Sequence, residues 1–154
     1  MRSIQLSLFA DYFQFYIQDE AVTGDLSGSW NGDATARLLA VAPGTIGIGT
    51  IRNTEVPVLV EVHDRKPPED LDAWDHVVEA SIDLKSGCLV IAGCTDYFPD
   101  ATRMDVSPGC YLSRVSYGGL KSLSKAGLTG DDHYRVQLWP GASSAVSVIK
   151  QRST

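Results

Sequence analysis

Apolar and polar residues alternate almost from the start of the chain. Ser3–Phe9 places Ile4, Leu6 and Leu8 on every second position, and Phe13–Gln18 does the same with Phe13, Phe15 and Ile17. A period of two sends each set to one face of a sheet, with Gln14, Tyr16 and Gln18 opposite. Asp11 stands in the short gap, so the pattern predicts an antiparallel pair joined there. The same signal predicts strands over Thr45–Ile51, Val56–His63, His76–Leu84, Cys110–Tyr117 and His133–Leu138, with shorter ones at Arg103–Val106 and Ala145–Ile149. Cys88–Cys94 is apolar throughout, as in a strand covered on both faces. Lys85-Ser86-Gly87 reads as a hairpin turn and Ser107-Pro108-Gly109 as a type II turn. One short helix is predicted over Ala34–Val41, with Asp33 as its N-cap and Pro43-Gly44 as its stop.

About nine or ten strands at hairpin spacing with one short helix predict an all-β fold. An antiparallel β-sandwich is the expected architecture, because each sheet has one apolar face to bury; a closed barrel is the alternative. The expected core holds Ile4, Leu6, Phe15, Ile17, Ile48, Val60, Ile82, Val90, Leu112 and Val136. With 154 residues the chain suits a single domain over 1–154, and 44% hydrophobic residues suffice for a core without staples. No apolar run approaches the roughly 20 residues of a membrane span. Met1-Arg2-Ser3 runs straight into strand pattern, without a signal-like apolar stretch, so a cytoplasmic protein is expected. Cys88, Cys94 and Cys110 are odd in number and sit in apolar strand contexts, which predicts buried, reduced thiols.

Charge is unevenly placed within the net −6. Residues 61–83 carry Glu61, Asp64, Glu69, Asp70, Asp72, Asp75, Glu79 and Asp83 against only Arg65 and Lys66. Residues 103–154 carry an excess of Lys and Arg. An acidic chain is a poor general binder of nucleic acid, whose recognition rests on neutralising phosphates. It suits a basic protein partner, although solubility alone also accounts for the balance.

No dinucleotide or Walker glycine motif, no Gly-x-Ser-x-Gly elbow, no His-Glu-x-x-His and no Cys-x-x-Cys occurs. No catalytic residue, metal ligand or cofactor is therefore assigned. The sharpest candidate is the acidic, proline-broken stretch Lys66–Asp75, where Glu69, Asp70, Asp72 and Asp75 surround Trp74. A large ring among carboxylates can anchor a basic partner while the charges steer it. A loop pinned to the sandwich by its tryptophan is the structural alternative. Calcium bound by these carboxylates, with Asp96 and Asp100 completing the set, is a second function class. An enzyme using His63, His76 or His133 as general base is a third. The adjacent pairs His63-Asp64 and Asp132-His133 point to opposite sides of a strand, so neither is a ready dyad.

The order of features over residues 4–116 resembles the competence protein J family of bacteria. The likeness is carried by Tyr12-Phe13-Gln14-Phe15 in the opening strands and by Trp30-x-x-Asp33-Ala34 starting a short helix. It continues in the glycine-spaced strand Gly44–Thr50 and the turn Pro108-Gly109-x-Tyr111. Members of that family are small cytoplasmic inhibitors of a partner DNA-entry nuclease. The resemblance thus implies a non-enzymatic binding protein with a nuclease as partner. An inhibitor of that kind can offer carboxylates where the enzyme expects phosphates.

Overall fold

The computed structural model describes residues 1–153. Eleven strands form two sheets: β1 Arg2–Phe9, β2 Gln14–Asp19, β3 Leu39–Ala42, β4 Thr45–Gly49, β5 Glu55–Val62, β6 His76–Leu84, β7 Cys88–Gly93, β8 Thr102–Asp105, β9 Gly109–Gly118, β10 His133–Pro140 and β11 Ser147–Lys150. One sheet has the order β1-β5-β10-β9-β6-β11 and the other β3-β4-β2-β7-β8. The fold is a β-sandwich, antiparallel except where β10 lies parallel to β5. The strands are those of the sequence pattern, with Leu39–Ala42 added.

Strand partners differ from the expectation at two corners, after β1 and after β6. β1 does not pair with β2; it pairs with β5, while β2 lies between β4 and β7 in the other sheet. The turn at Lys85-Ser86-Gly87 likewise carries the chain from β6 to the opposite sheet, and Ser107-Pro108-Gly109 carries it back. A hairpin and a sandwich corner share one local signature, two alternating runs and a turn, so alternation cannot tell them apart. The Gly87 corner is held by buried Asp19, whose Oδ1 accepts from Ser86 N at 3.0 Å. Gly87 has φ +72°, as the turn reading requires.

The helix α1 spans Gly32–Arg37, shorter than predicted and capped by Asn31 rather than Asp33. Asn31 Oδ1 accepts from Ala34 N at 2.9 Å. Leu38 takes a left-handed conformation and ends the helix, and Leu39–Ala42 pairs with β4 instead of continuing it. Pairing against a buried strand outweighs the modest helix propensity of Leu-Ala-Val.

Phe15, Ile17, Ile48, Val60, Ile82 and Val136 lie in the core between the sheets, and Ile4 and Leu6 pack partly buried against it. Val90 is buried outside that cluster, in register with Gln18. Leu112 is a correction: it is half-buried on the outer side of the six-stranded sheet, opposite Trp139 and Ser81. The inward set on β9 is Tyr111, Val115 and Tyr117, with the small polar Ser113 among them. Phe15, Tyr134, Tyr117 and His76 form a chain of edge-on aromatic contacts with centroids 6.0, 5.8 and 5.0 Å apart.

The thiols are unpaired. They are not uniformly buried: Cys94 is exposed, and Cys88 and Cys110 are intermediate. Burial and the neighbouring Glu20 carboxylate push the Cys88 thiol up to about 11, so it stays protonated and a poor nucleophile. No helix is long and apolar enough to cross a membrane among the described residues.

Candidate functional site

The outward side of the six-stranded sheet carries a row of polar residues in cross-strand register. Glu79 on β6 faces Arg114 on β9, Arg114 faces Gln137 on β10, and Gln137 faces Glu61 on β5. Their alternation partners point into the core, so these four must point out. Arg114 is nevertheless fully buried. The cover is the acidic segment after β5, which folds back across this face.

Arg114 is its central anchor. Nη1 donates to the carbonyl oxygens of Pro67 and Pro68, each at 3.2 Å, and Nε to Glu79 Oε2 at 3.2 Å. The guanidinium sits 5.2 Å from the centroid of the Trp139 ring. Proline carbonyls suit this role, because Pro67-Pro68 has no N–H to satisfy beneath the loop. Gln137 Nε2 donates to Glu61 Oε1 at 3.0 Å, closing the row.

Arg135 is the second anchor. Nη1 and Nη2 donate to the two carboxylate oxygens of Asp70 at 2.8 and 2.6 Å, a bidentate pair. The same guanidinium lies 4.7 Å from the centroid of the Trp74 ring, which is 5.1 Å from that of His133. Hydrogen bonds from Arg135 hold the Asp70 carboxyl below its usual range despite partial burial. Asp75 Oδ2 accepts from Leu120 N at 2.9 Å, tying the loop to the segment after β9. Lys150 Nζ donates to Leu71 O at 3.0 Å from β11.

The five singled-out residues therefore divide. Asp70, Trp74 and Asp75 are engaged by the fold, and Trp74 is half-buried. Glu69 and Asp72 are exposed; among the described residues Glu69 has a long ion pair with Lys66, at 3.9 Å. What the loop offers to solvent is free carboxylate on a pinned frame. The sequence reading missed the pinning residues Arg114 and Arg135. Their signal was alternation: each sits on the outward phase of a long strand, where a buried arginine needs acceptors brought to it.

Carboxylates are not gathered for a metal. Among the described residues no three His, Cys, Asp or Glu side chains are placed to hold one ion. Each histidine has a structural partner. His63 Nε2 lies 2.8 Å from Glu61 Oε1, two residues back on the same strand side. Burial pushes the Glu61 carboxyl up, but hydrogen bonds from Gln137 and His63 outweigh it and leave the carboxyl low. His133 Nδ1 lies 2.8 Å from Asp131 O. His76 is fully buried: Nε2 lies 2.7 Å from Arg37 O and must donate, while Nδ1 accepts from Arg152 N at 3.1 Å.

His76 is expected to make the fold acid-sensitive. Burial lowers its pKa in the folded chain below the ordinary value of 6.5. The unfolded chain therefore binds the proton more readily, so this contribution is complete above that value and declines as pH falls below it. His76→Gln is expected to flatten the dependence of urea midpoint on pH between about pH 6.5 and 5. An unchanged slope would assign the acid sensitivity to other groups.

Comparison with solved structures gives the fold a precedent. The crystal structure of ComJ from Bacillus subtilis, described as an inhibitor of the DNA-degrading activity of NucA, superposes with a TM-score of 0.68 at 18% identity, covering 92% of this chain and 96% of that one. The protein of crocagin biosynthetic gene J superposes with a TM-score of 0.57 at 16% identity, covering 91% and 96%. At these identities the likeness is one of fold. No protein-family model matches the chain, and no curated protein sequence does.

Proposed function

We propose that this chain is a cytoplasmic binding protein that inhibits a DNA-degrading nuclease, not an enzyme. The observation that carries the reading is the likeness to ComJ over 92% of the chain. The acidic loop supports it. Glu69 and Asp72 stand where they can meet the basic surface that a nuclease uses for phosphates, with Asp70, Trp74 and Asp75 fixing the loop beneath them. Pre-fixing a loop lowers the ordering cost of association.

The test is DNA degradation by a nuclease encoded beside this chain's gene, with NucA as reference, titrated with the purified chain. Saturable inhibition supports the reading, and undiminished cleavage at high excess of the chain by both enzymes refutes it. Exposed rim charges act mainly through steering, so Glu69→Lys with Asp72→Lys is expected to slow association about tenfold at low salt. Added salt should erase most of that difference. Stopped-flow association across ionic strengths reads both effects, and a rate indifferent to the reversal removes the loop from the interface.

A further inference from the structure

A cluster of exposed aromatic rings lies at the corner between β1 and β2. Among the described residues four aromatic rings are exposed: Phe9 at 43%, Tyr12 at 68%, Phe13 at 52% and Tyr97 at 71%. All four belong to this corner. Asp11–Phe13 is the tight turn that carries the chain from one sheet to the other. The turn after β7 packs on it: Gly93 has no room for a Cβ because the Phe9 carbonyl occupies the place, and Gly93 N donates to Asp96 Oδ2 at 2.8 Å. Tyr97 follows and flanks a depression with Leu6 and Leu8 of β1.

The rings are held outward by a backbone that does not favour them. Tyr12 and Phe13 both have φ +58°, a left-handed conformation that glycine or asparagine adopts more readily. The turn is fixed on both sides, since Phe13 N donates to Ala10 O at 3.0 Å and Thr50 N donates to Phe13 O at 2.9 Å. Neither ring contributes to the core cluster. Beside them a groove of about 360 Å³ runs between Tyr12, Phe13, Trp30 and Leu38. Clustered, exposed rings beside a groove are characteristic of an interface and costly otherwise.

The charge around the rings selects the occupant. Asp11 and Asp96 belong to these two turns and Asp100 to the turn that follows, and none of the ion pairs among the described residues uses any of them. The nearby cations are committed: Arg52 pairs with Asp132, and Arg103 pairs with Glu20 and caps carbonyls of the 98–101 turn. Uncompensated carboxylates beside exposed aromatic faces fit guanidinium or ammonium groups, which can pair with the acids and stack on the rings.

We propose that this corner is a docking surface for a basic protein segment, with an arginine or lysine stacked on Tyr12 or Phe13 and paired with Asp11 or Asp96. The assignment deepens the inhibitor reading, and the nature of the physiological partner rests on that reading. On this account the acidic loop steers and the aromatic corner anchors.

The experiment is an amide NMR titration of the whole chain at low salt with hexa-arginine amide, with hexa-glutamate as control. The expected shifts centre on Phe9–Gln14 and Cys94–Phe98. The decisive variant is Tyr12→Gly with Phe13→Gly, because glycine accepts the positive φ and preserves the turn while deleting both rings. Its affinity for hexa-arginine should fall about tenfold, since buried rings anchor. Shifts centred on residues 64–72, no binding, or an affinity unchanged by the double glycine variant would each overturn the proposal. The peptide assay is independent of the nuclease. Corner binding without nuclease inhibition refutes the inhibitor reading alone, and inhibition without corner binding refutes the corner alone.

Discussion

Asp132→Ala is expected to cost about 3–5 kcal/mol, enough to unfold much of the population of a marginally stable domain. Asp132 is fully buried just before β10, and its two carboxylate oxygens serve separate partners. One carboxylate oxygen forms an ion pair with Arg52, and the other accepts from the Tyr134 hydroxyl at 2.6 Å. Tyr134 in turn accepts from Ile51 N at 3.1 Å, so the network joins the segment between β4 and β5 to the start of β10. Deleting the acid strands a guanidinium that is itself nearly buried, and it leaves a core hydroxyl without its acceptor. Desolvated groups that lose their partners forfeit the full cost of leaving water. Tyr134→Phe removes one arm only and should cost about 1–3 kcal/mol. Urea titration separates the two through their midpoints. Equal, small shifts would show that the network contributes little to stability.

Most strands were legible because their neighbours in sequence told which face was wet. On β6, Val78, Ala80, Ile82 and Leu84 face inward and Glu79, Ser81 and Asp83 face outward, an unambiguous period of two. β9 was harder. Its inward set includes Ser113 and its outward set includes Leu112, so hydrophobicity alone put the wrong residue in the core. Two sandwich corners, after β1 and after β6, passed for hairpins, because pairing partners are chosen by contacts far along the chain. The parallel pairing of β10 with β5 joins residues more than seventy positions apart, and no local feature announces it. At the candidate site the acids and Trp74 stood out as a composition anomaly. Their division into pinned and free groups did not, because Arg135 and Arg114 reach the loop from strands that sequence distance separates from it. The positive φ of Tyr12 and Phe13 left no trace either, since Tyr12 stands in the short gap between two alternating runs and Phe13 reads as the first residue of the second.

Arg114→Ala tests whether the acidic loop works as a preformed surface or merely as charge. The substitution removes hydrogen bonds to Pro67 and Pro68 together with the Glu79 pair, and it opens a space over Trp139. A buried pair broken on one side is expected to cost about 3–5 kcal/mol. Glu79 is partly exposed and recovers some hydration, which places the loss near the lower end of that range. Arg114→Met keeps apolar contact with Trp139 and is expected to recover part of the stability without restoring the loop. In both variants the loop retains its Arg135–Asp70 clamp but loses its fixed path across the sheet. Amide exchange should therefore rise over residues 64–72 while the strands β9 and β10 stay protected, and limited proteolysis should cut there first. The steering charges Glu69 and Asp72 survive these changes. If the loop is a preformed surface, the association rate with an inhibited nuclease stays within about threefold while dissociation quickens, because ordering is now required in the complex. If dissociation also stays unchanged, the loop contributes charge alone, and binding energy must come from a surface elsewhere on the sandwich.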